Sequence, residues 1–254
     1  MKENPAQLLS AILDVGETML ISGAEVNRVE NTIQHMAVAY GFSKVNVFAI
    51  TSSIVVTVYE PEGNIYTQTR RIKVFETDMY KVERCNSLSR AVCKEPLCLK
   101  ELMDQIDEMK NQKGYSEIVT LCIYGFVAAV FTGFFGGSVR DMVAALICGL
   151  TLRLILWTGR KLKVQNIILT IFCSAVIAFV TLLLVKAGLG ESTDKIIIGN
   201  IMLLIPGMSL TTSLRDMING DLISGLLGLC EAVIRAVAIA GGVALVLWQM
   251  GGGL

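Results

Sequence analysis

Hydrophobic residues follow two different spacings on either side of Gly114. Before it they recur at short amphipathic periods. Val26, Val29, Ile33, Met36, Ala37 and Tyr40 fall on one face of a helix, which Gly23 separates from an earlier helix at about 6–21. The stretch 45–59 is dense in β-branched residues. It meets the turn cluster Glu60-Pro61-Glu62-Gly63-Asn64 and a second β-rich run at 65–74, so a hairpin is expected. Leu99, Leu102, Met103, Ile106 and Met109 then form the apolar stripe of a surface helix. These elements predict a small α+β domain over residues 1–113.

Beyond Gly114 the apolar runs lengthen to about 20 residues, the span that a hydrocarbon core requires. They fall at 117–136, 142–159, 164–186, 196–214 and 222–249. The expected architecture is therefore an α-helical polytopic membrane protein: about five transmembrane helices over 114–254, with a cytoplasmic α+β domain ahead of them.

Composition supports this division. With 53% hydrophobic and only 17% charged residues, a soluble globule is excluded as the whole account. The charge is uneven as well: 13 of 22 basic and 15 of 22 acidic residues precede residue 114. Arg160, Lys161 and Lys163 lie between the second and third apolar runs, whereas the 187–195 loop sets Glu191 and Asp194 against Lys195. The positive-inside rule puts the basic loop in the cytoplasm. Counting crossings from it gives a cytoplasmic N-terminal domain and an external C-terminus. The opening residues lack the design of a cleaved secretory signal, which agrees.

Seven cysteines without repeated spacing predict no disulfide framework and no metal site. The single histidine, His35, lies beside an apolar stripe and reads as a packing residue. Zero net charge offers no electrostatic argument for nucleic acid, and no basic cluster carries interleaved aromatics, so no nucleic-acid partner is expected. There is no Gly-x-Ser-x-Gly, His-Glu-x-x-His or Walker-type loop, so neither enzymatic chemistry nor direct ATP coupling is expected, and no cofactor.

Ionisable groups within apolar runs are costly and mark pathways or partners. Those in or beside the runs are Arg153, Arg215, Asp216, Asp221 and Glu231, the last with Arg235 four residues on. Pro206-Gly207 interrupts the fourth run, and a broken helix frees backbone groups that protein, water or ligand must satisfy. An internal echo adds Arg140 and Asp141. Ser138-Val139-Arg140-Asp141-Met142-Val143 matches Ser213-Leu214-Arg215-Asp216-Met217-Ile218, and Leu146 to Leu150 mirrors Leu222 to Leu226. By the topology above the first copy faces outside and the second the cytosol. Helices one and two then read as an inverted counterpart of helices four and five, with Arg-Asp pairs at opposite mouths of one path.

The chain resembles the threonine/serine exporter family of bacterial membrane proteins in its split form. The resemblance rests on Ser22-Gly23-Ala24-Glu25 with Arg28-Val29-Glu30, on the β-rich run after Gly41-Phe42, on Phe135-Gly136-Gly137-Ser138, and on Pro206-Gly207 followed by Arg215-Asp216-Met217 and Gly220-Asp221. It implies a subunit of a secondary transporter in the bacterial inner membrane. That transporter exports a small polar metabolite, a threonine- or serine-like amino acid or a small dicarboxylate, driven by the proton or membrane potential. It also implies a small membrane-protein partner of about 150 residues that supplies the remaining helices, with homo-oligomers as a further possibility. Gly23, Glu25, Arg28 and Glu30 become a cytoplasmic vestibule. The other reading of the chain is a membrane-anchored sensor or regulatory subunit without transport activity. Five helices with interior charges exceed what an anchor needs.

Overall fold

The structure is a computed structural model that describes residues 4–112 and 114–251. It divides into two compact units: residues 1–113 with 207–230, and residues 114–206 with 231–254.

The first unit opens with α1 (Pro5–Ile21) and α2 (Val26–Ala39), followed by β1 (Lys44–Ile50), β2 (Ser53–Tyr59), β3 (Ile65–Arg71), α3 (Met79–Lys94) and α4 (Leu99–Asn111). Asn4 caps α1, its side chain accepting from the Ala6 N–H, and Pro5 sits where a helix needs no N–H. The 45–59 run is two strands rather than one. Thr51-Ser52 turn the chain so that Ile50 pairs with Ser53 and Lys44 with Tyr59, giving an antiparallel sheet in the order β1-β2-β3. Two small polar residues among β-branched ones are enough to fold the run back on itself. One sheet face carries Ile54, Val56 and Val58, all fully buried in a core shared with Ile12, Met19, Ile33 and Met36. Each such side chain contributes roughly 1.5–3 kcal/mol by leaving water. Helix α3 has an apolar stripe at Val82, Cys85, Leu88 and Val92.

Helix α9 (Gly207–Ile218) and the start of α10 (Leu222–Gly251) also belong to this unit. Asn219-Gly220-Asp221 separate the two helices, with Gly220 at φ 100°. Here the internal echo departs from structural equivalence. The first copy and its Leu146–Leu150 continuation form one helix, because Ala144-Ala145 continue it. The second copy closes α9, and Leu222–Leu226 open α10, because Asn-Gly-Asp favours a turn. The glycine of each copy nevertheless does the same job. A Cβ on Gly149 would lie 2.6 Å from the Tyr124 carbonyl, and one on Gly225 would lie 2.6 Å from the Ser213 carbonyl. Each lets its helix lie against the backbone of the preceding one.

The second unit contains α5 (Glu117–Phe134), α6 (Val139–Lys161), α7 (Asn166–Lys186), α8 (Thr193–Ile201) and α10 from Glu231 onward. Small and medium side chains fill its core, among them Ala128, Ala144, Cys148, Leu152, Cys173 and Ile177. Phe126, Phe134, Phe172 and Trp248 project outward at 56–84% exposure, an arrangement that hydrocarbon accepts and water does not.

Among the described residues, four helices are long and apolar enough to cross a membrane: Glu117–Phe134, Val139–Lys161, Asn166–Lys186 and Leu222–Met250. Against the expectation of about five transmembrane helices, four are found among the described residues. The run at 196–214 is divided instead. Helix α8 ends at Ile201, Met202–Pro206 are irregular, and α9 starts at Gly207. At 1.5 Å per residue neither short helix spans about 30 Å by itself. Pro206, which has no N–H to donate, lies just before α9.

Candidate functional site

Ser138 caps α6 and forms a reciprocal box with Asp141. The Asp141 N–H donates to Ser138 Oγ at 3.2 Å, and Asp141 Oδ2 accepts from the Ser138 N–H at 2.9 Å. The other oxygen, Oδ1, reaches a different helix. It accepts the N–H groups of Glu191 at 2.7 Å and Ser192 at 2.9 Å, where the chain enters α8. These are donors that a helix start leaves without intrahelical partners. Arg140 pairs with the Glu191 carboxylate at 3.3 Å, and Lys195 donates to the Gly136 carbonyl at 2.7 Å. Asp141 is buried, so one carboxylate joins the start of α6 to the start of α8.

A counterpart lies in the first unit. Asp216 Oδ1 accepts the N–H of Val26, the first residue of α2, at 3.0 Å. Arg215 pairs with Glu25 at 2.7 Å. In both places a buried Asp takes free N–H groups where another helix begins, and the adjacent Arg holds a Glu at that same start. Gly23, at φ 88°, makes the turn that presents Glu25 and Val26. Glu30 accepts from the Ala49 N–H at 2.7 Å and so fastens α2 to β1. Burial raises the Glu30 carboxyl pKa; the Ala49 bond opposes this and the charge of Asp221 adds to it.

Asp216 lies beyond the apolar part of α9, against α2. Burial pushes its carboxyl up to about 6; the Val26 bond opposes this, and the charges of Asp221 and Glu25 reinforce it. The first unit therefore gathers Gly23, Glu25 and Glu30 with Arg215, Asp216 and Asp221, whereas Arg28 is exposed.

Arg153 and Glu231 lie in the second unit and have separate partners. Buried in mid-α6, Arg153 donates to Glu117 at 2.7 Å, and its guanidinium stands 5.5 Å from the Tyr124 ring centre. Glu231 pairs with Arg235 at 2.6 Å along one face of α10.

Sequence reasoning missed Glu117, Glu191 and Asn200. Glu117 and Glu191 lie at the margins of apolar runs, where an acid signals nothing until its partner is seen. Asn200 is uncharged and was passed over with its apolar neighbours. It is fully buried on α8. Its Nδ2 donates to the Ile196 carbonyl at 3.0 Å, while its Oδ1 has no partner among the described residues.

Four apolar helices of membrane-crossing length among the described residues, with polar groups paired inside each unit, fit a polytopic membrane protein. A family profile described as "Putative threonine/serine exporter" (ThrE) matches residues 10–249, most of the chain. The chain belongs to this threonine/serine exporter family, whose members are transporters rather than enzymes. Searches among curated proteins and among solved structures found no match.

Proposed function

We propose that this chain is one subunit of a secondary exporter of a small polar metabolite, a serine- or threonine-like amino acid or a small dicarboxylate, driven by the proton or membrane potential. The observation that carries the reading is the family match over residues 10–249, on a chain whose fourth apolar run is an interrupted helix. In this reading α8 and α9 together make a fifth, broken crossing. Helix α6 carries Asp141 at one end and Arg160-Lys161 at the other, so a cytoplasmic basic loop puts Asp141 at the outer face. The residue 1–113 domain is cytoplasmic, and Asp216, bonded to α2 of that domain, marks the inner mouth. Helix α10 then leaves from the inner face and carries the C-terminus outward. The membrane is the bacterial inner membrane.

Gly23, Glu25, Arg28 and Glu30 form the vestibule. Arg140, Asp141, Arg153, Pro206, Gly207, Arg215, Asp216, Asp221 and Glu231 belong to the path or to its supports. Within that set, the two Arg-Asp pairs hold the ends of the broken crossing. A small membrane-protein partner completes the bundle.

The test is export of labelled serine, threonine and succinate from preloaded cells producing this chain with and without the membrane protein encoded beside it. The expected result is efflux that needs both chains and collapses with an uncoupler. Robust efflux by this chain alone in proteoliposomes would overturn the subunit reading. Efflux indifferent to the uncoupler would overturn the coupling.

A further inference from the structure

We infer that Asn200 is the acceptor that recognises a hydroxyl group on the transported molecule; the inference rests on the exporter reading above and names the residue that sets its specificity. Asn200 is fully buried in the last turn of α8, the helix that packs against α5, α6 and α7. Its Nδ2 must face the Ile196 carbonyl, since only the amide nitrogen can donate there, and this fixes which way the side chain lies. Oδ1 is left as a buried acceptor without a donor among the described residues. In an apolar bundle such an orphan is costly, and its presence asks for a donor that arrives from outside the chain.

The surroundings select the donor. Of this unit's charged side chains, Arg153 holds Glu117, Arg140 holds Glu191, Glu231 holds Arg235, and Asp141 is filled by backbone N–H groups, while Asp194 of α8 lies in its first turn, at the opposite end from Asn200. Thr132, against which the neighbouring Gly199 is packed, is neutral, and its hydroxyl is donated to the Ala128 carbonyl. An ammonium at Oδ1 would lose its water without gaining a counter-charge, whereas a hydroxyl needs none. The position suits a transport site as well. One residue after Asn200 the helix ends, and Met202–Pro206 are irregular, so the orphan acceptor sits at the end of a half-helix. The start of α8 is held by Asp141 and by Lys195. Its far end is therefore the one that can yield to admit a substrate.

A hydroxyl acceptor predicts that serine is preferred over alanine and threonine over 2-aminobutyrate. The experiment measures competition by these four amino acids against labelled serine accumulation in everted membrane vesicles carrying the full chain and its partner. Wild type should favour serine over alanine by about tenfold or more. Asn200→Leu should remove that preference by weakening serine while leaving alanine unchanged, and Asn200→Asp, which keeps an acceptor, should retain it. An Asn200→Leu protein with the wild-type serine-to-alanine ratio overturns the inference and leaves the exporter reading intact. No serine accumulation by wild type overturns the inference, and only failure with serine, threonine and succinate alike removes the exporter reading as well. Should Asn200→Leu fail to reach the membrane, Asn200→Cys in a chain stripped of its seven native cysteines decides the matter. Serine but not alanine should slow its modification by a methanethiosulfonate, and equal or absent protection overturns the inference.

Discussion

The two Arg-Asp pairs do the same work with different strength. Asp141 opens α6, and both its oxygens are engaged, one in the cap of its own helix and one at the entry to α8. Asp216 closes α9, and Oδ1 receives the single N–H of Val26. Helix-starting position explains the difference: a residue in the first turn can serve its own cap and a neighbour together, while one in the last turn has only the neighbour. Similar tetrads thus make a firm clasp in the second unit and a lighter, titratable one in the first.

Breaking the firm clasp should have the largest effect. Asp141→Asn keeps an acceptor for Glu191 and Ser192 but exchanges an oxygen that accepts the Ser138 N–H for an amide that cannot. The expected loss is about 3 kcal/mol, as for a charged hydrogen bond left without its partner. It is read as a lower unfolding midpoint in detergent and as abolished export at unchanged membrane abundance. Near-normal export with an unchanged midpoint would show that the clasp carries no function.

Asp216→Asn should cost less, about 1 kcal/mol, as for one capping bond, and should change pH behaviour as well. The folded carboxyl holds its proton up to about 6, above the usual value of 3.8. Its contribution to stability is thus complete below that usual value and is lost as pH rises through about 6. The wild-type midpoint should carry a falling contribution between pH 4 and 6 that Asp216→Asn removes; an identical slope in the two proteins refutes the assignment. The arginines come last. The Arg140–Glu191 pair is exposed on both sides, at 71% and 55%, whereas Glu25 in the Arg215–Glu25 pair is 20% exposed. Arg215→Gln should therefore cost more than Arg140→Gln, each within about 1 kcal/mol. A reversed order would mean that burial does not rank these pairs.

Orientation sharpens the comparison through residues whose clasp contact, where there is one, is made by the backbone. In a chain without native cysteines, one placed at Ser192 should react with an impermeant thiol reagent on intact spheroplasts, and one placed at Lys161 should not. The opposite pattern would reverse the proposed orientation.

Much of this was legible in the sequence, because the deciding forces act over short stretches of chain. Hydrocarbon thickness sets the length of an apolar run, so α5, α6, α7 and α10 could be read directly, and so could the break before Gly207. Amphipathic spacing marked α2 and α4, the break at Gly23 set off α1, and the turn residues at 60–64 marked the β2–β3 connection. The echo between residues 138–143 and 213–218 was visible as letters, but its different helical settings depended on Ala144-Ala145 against Asn219-Gly220-Asp221. Only the tertiary structure decided what the charges touch. The partners of Asp141, Arg153, Arg215 and Asp216 lie 36 to 190 residues away, and pairing at that range depends on how the helices pack rather than on local pattern. Asn200 is the extreme case: its buried oxygen has no partner among the described residues, a property that exists only once every neighbour is in place.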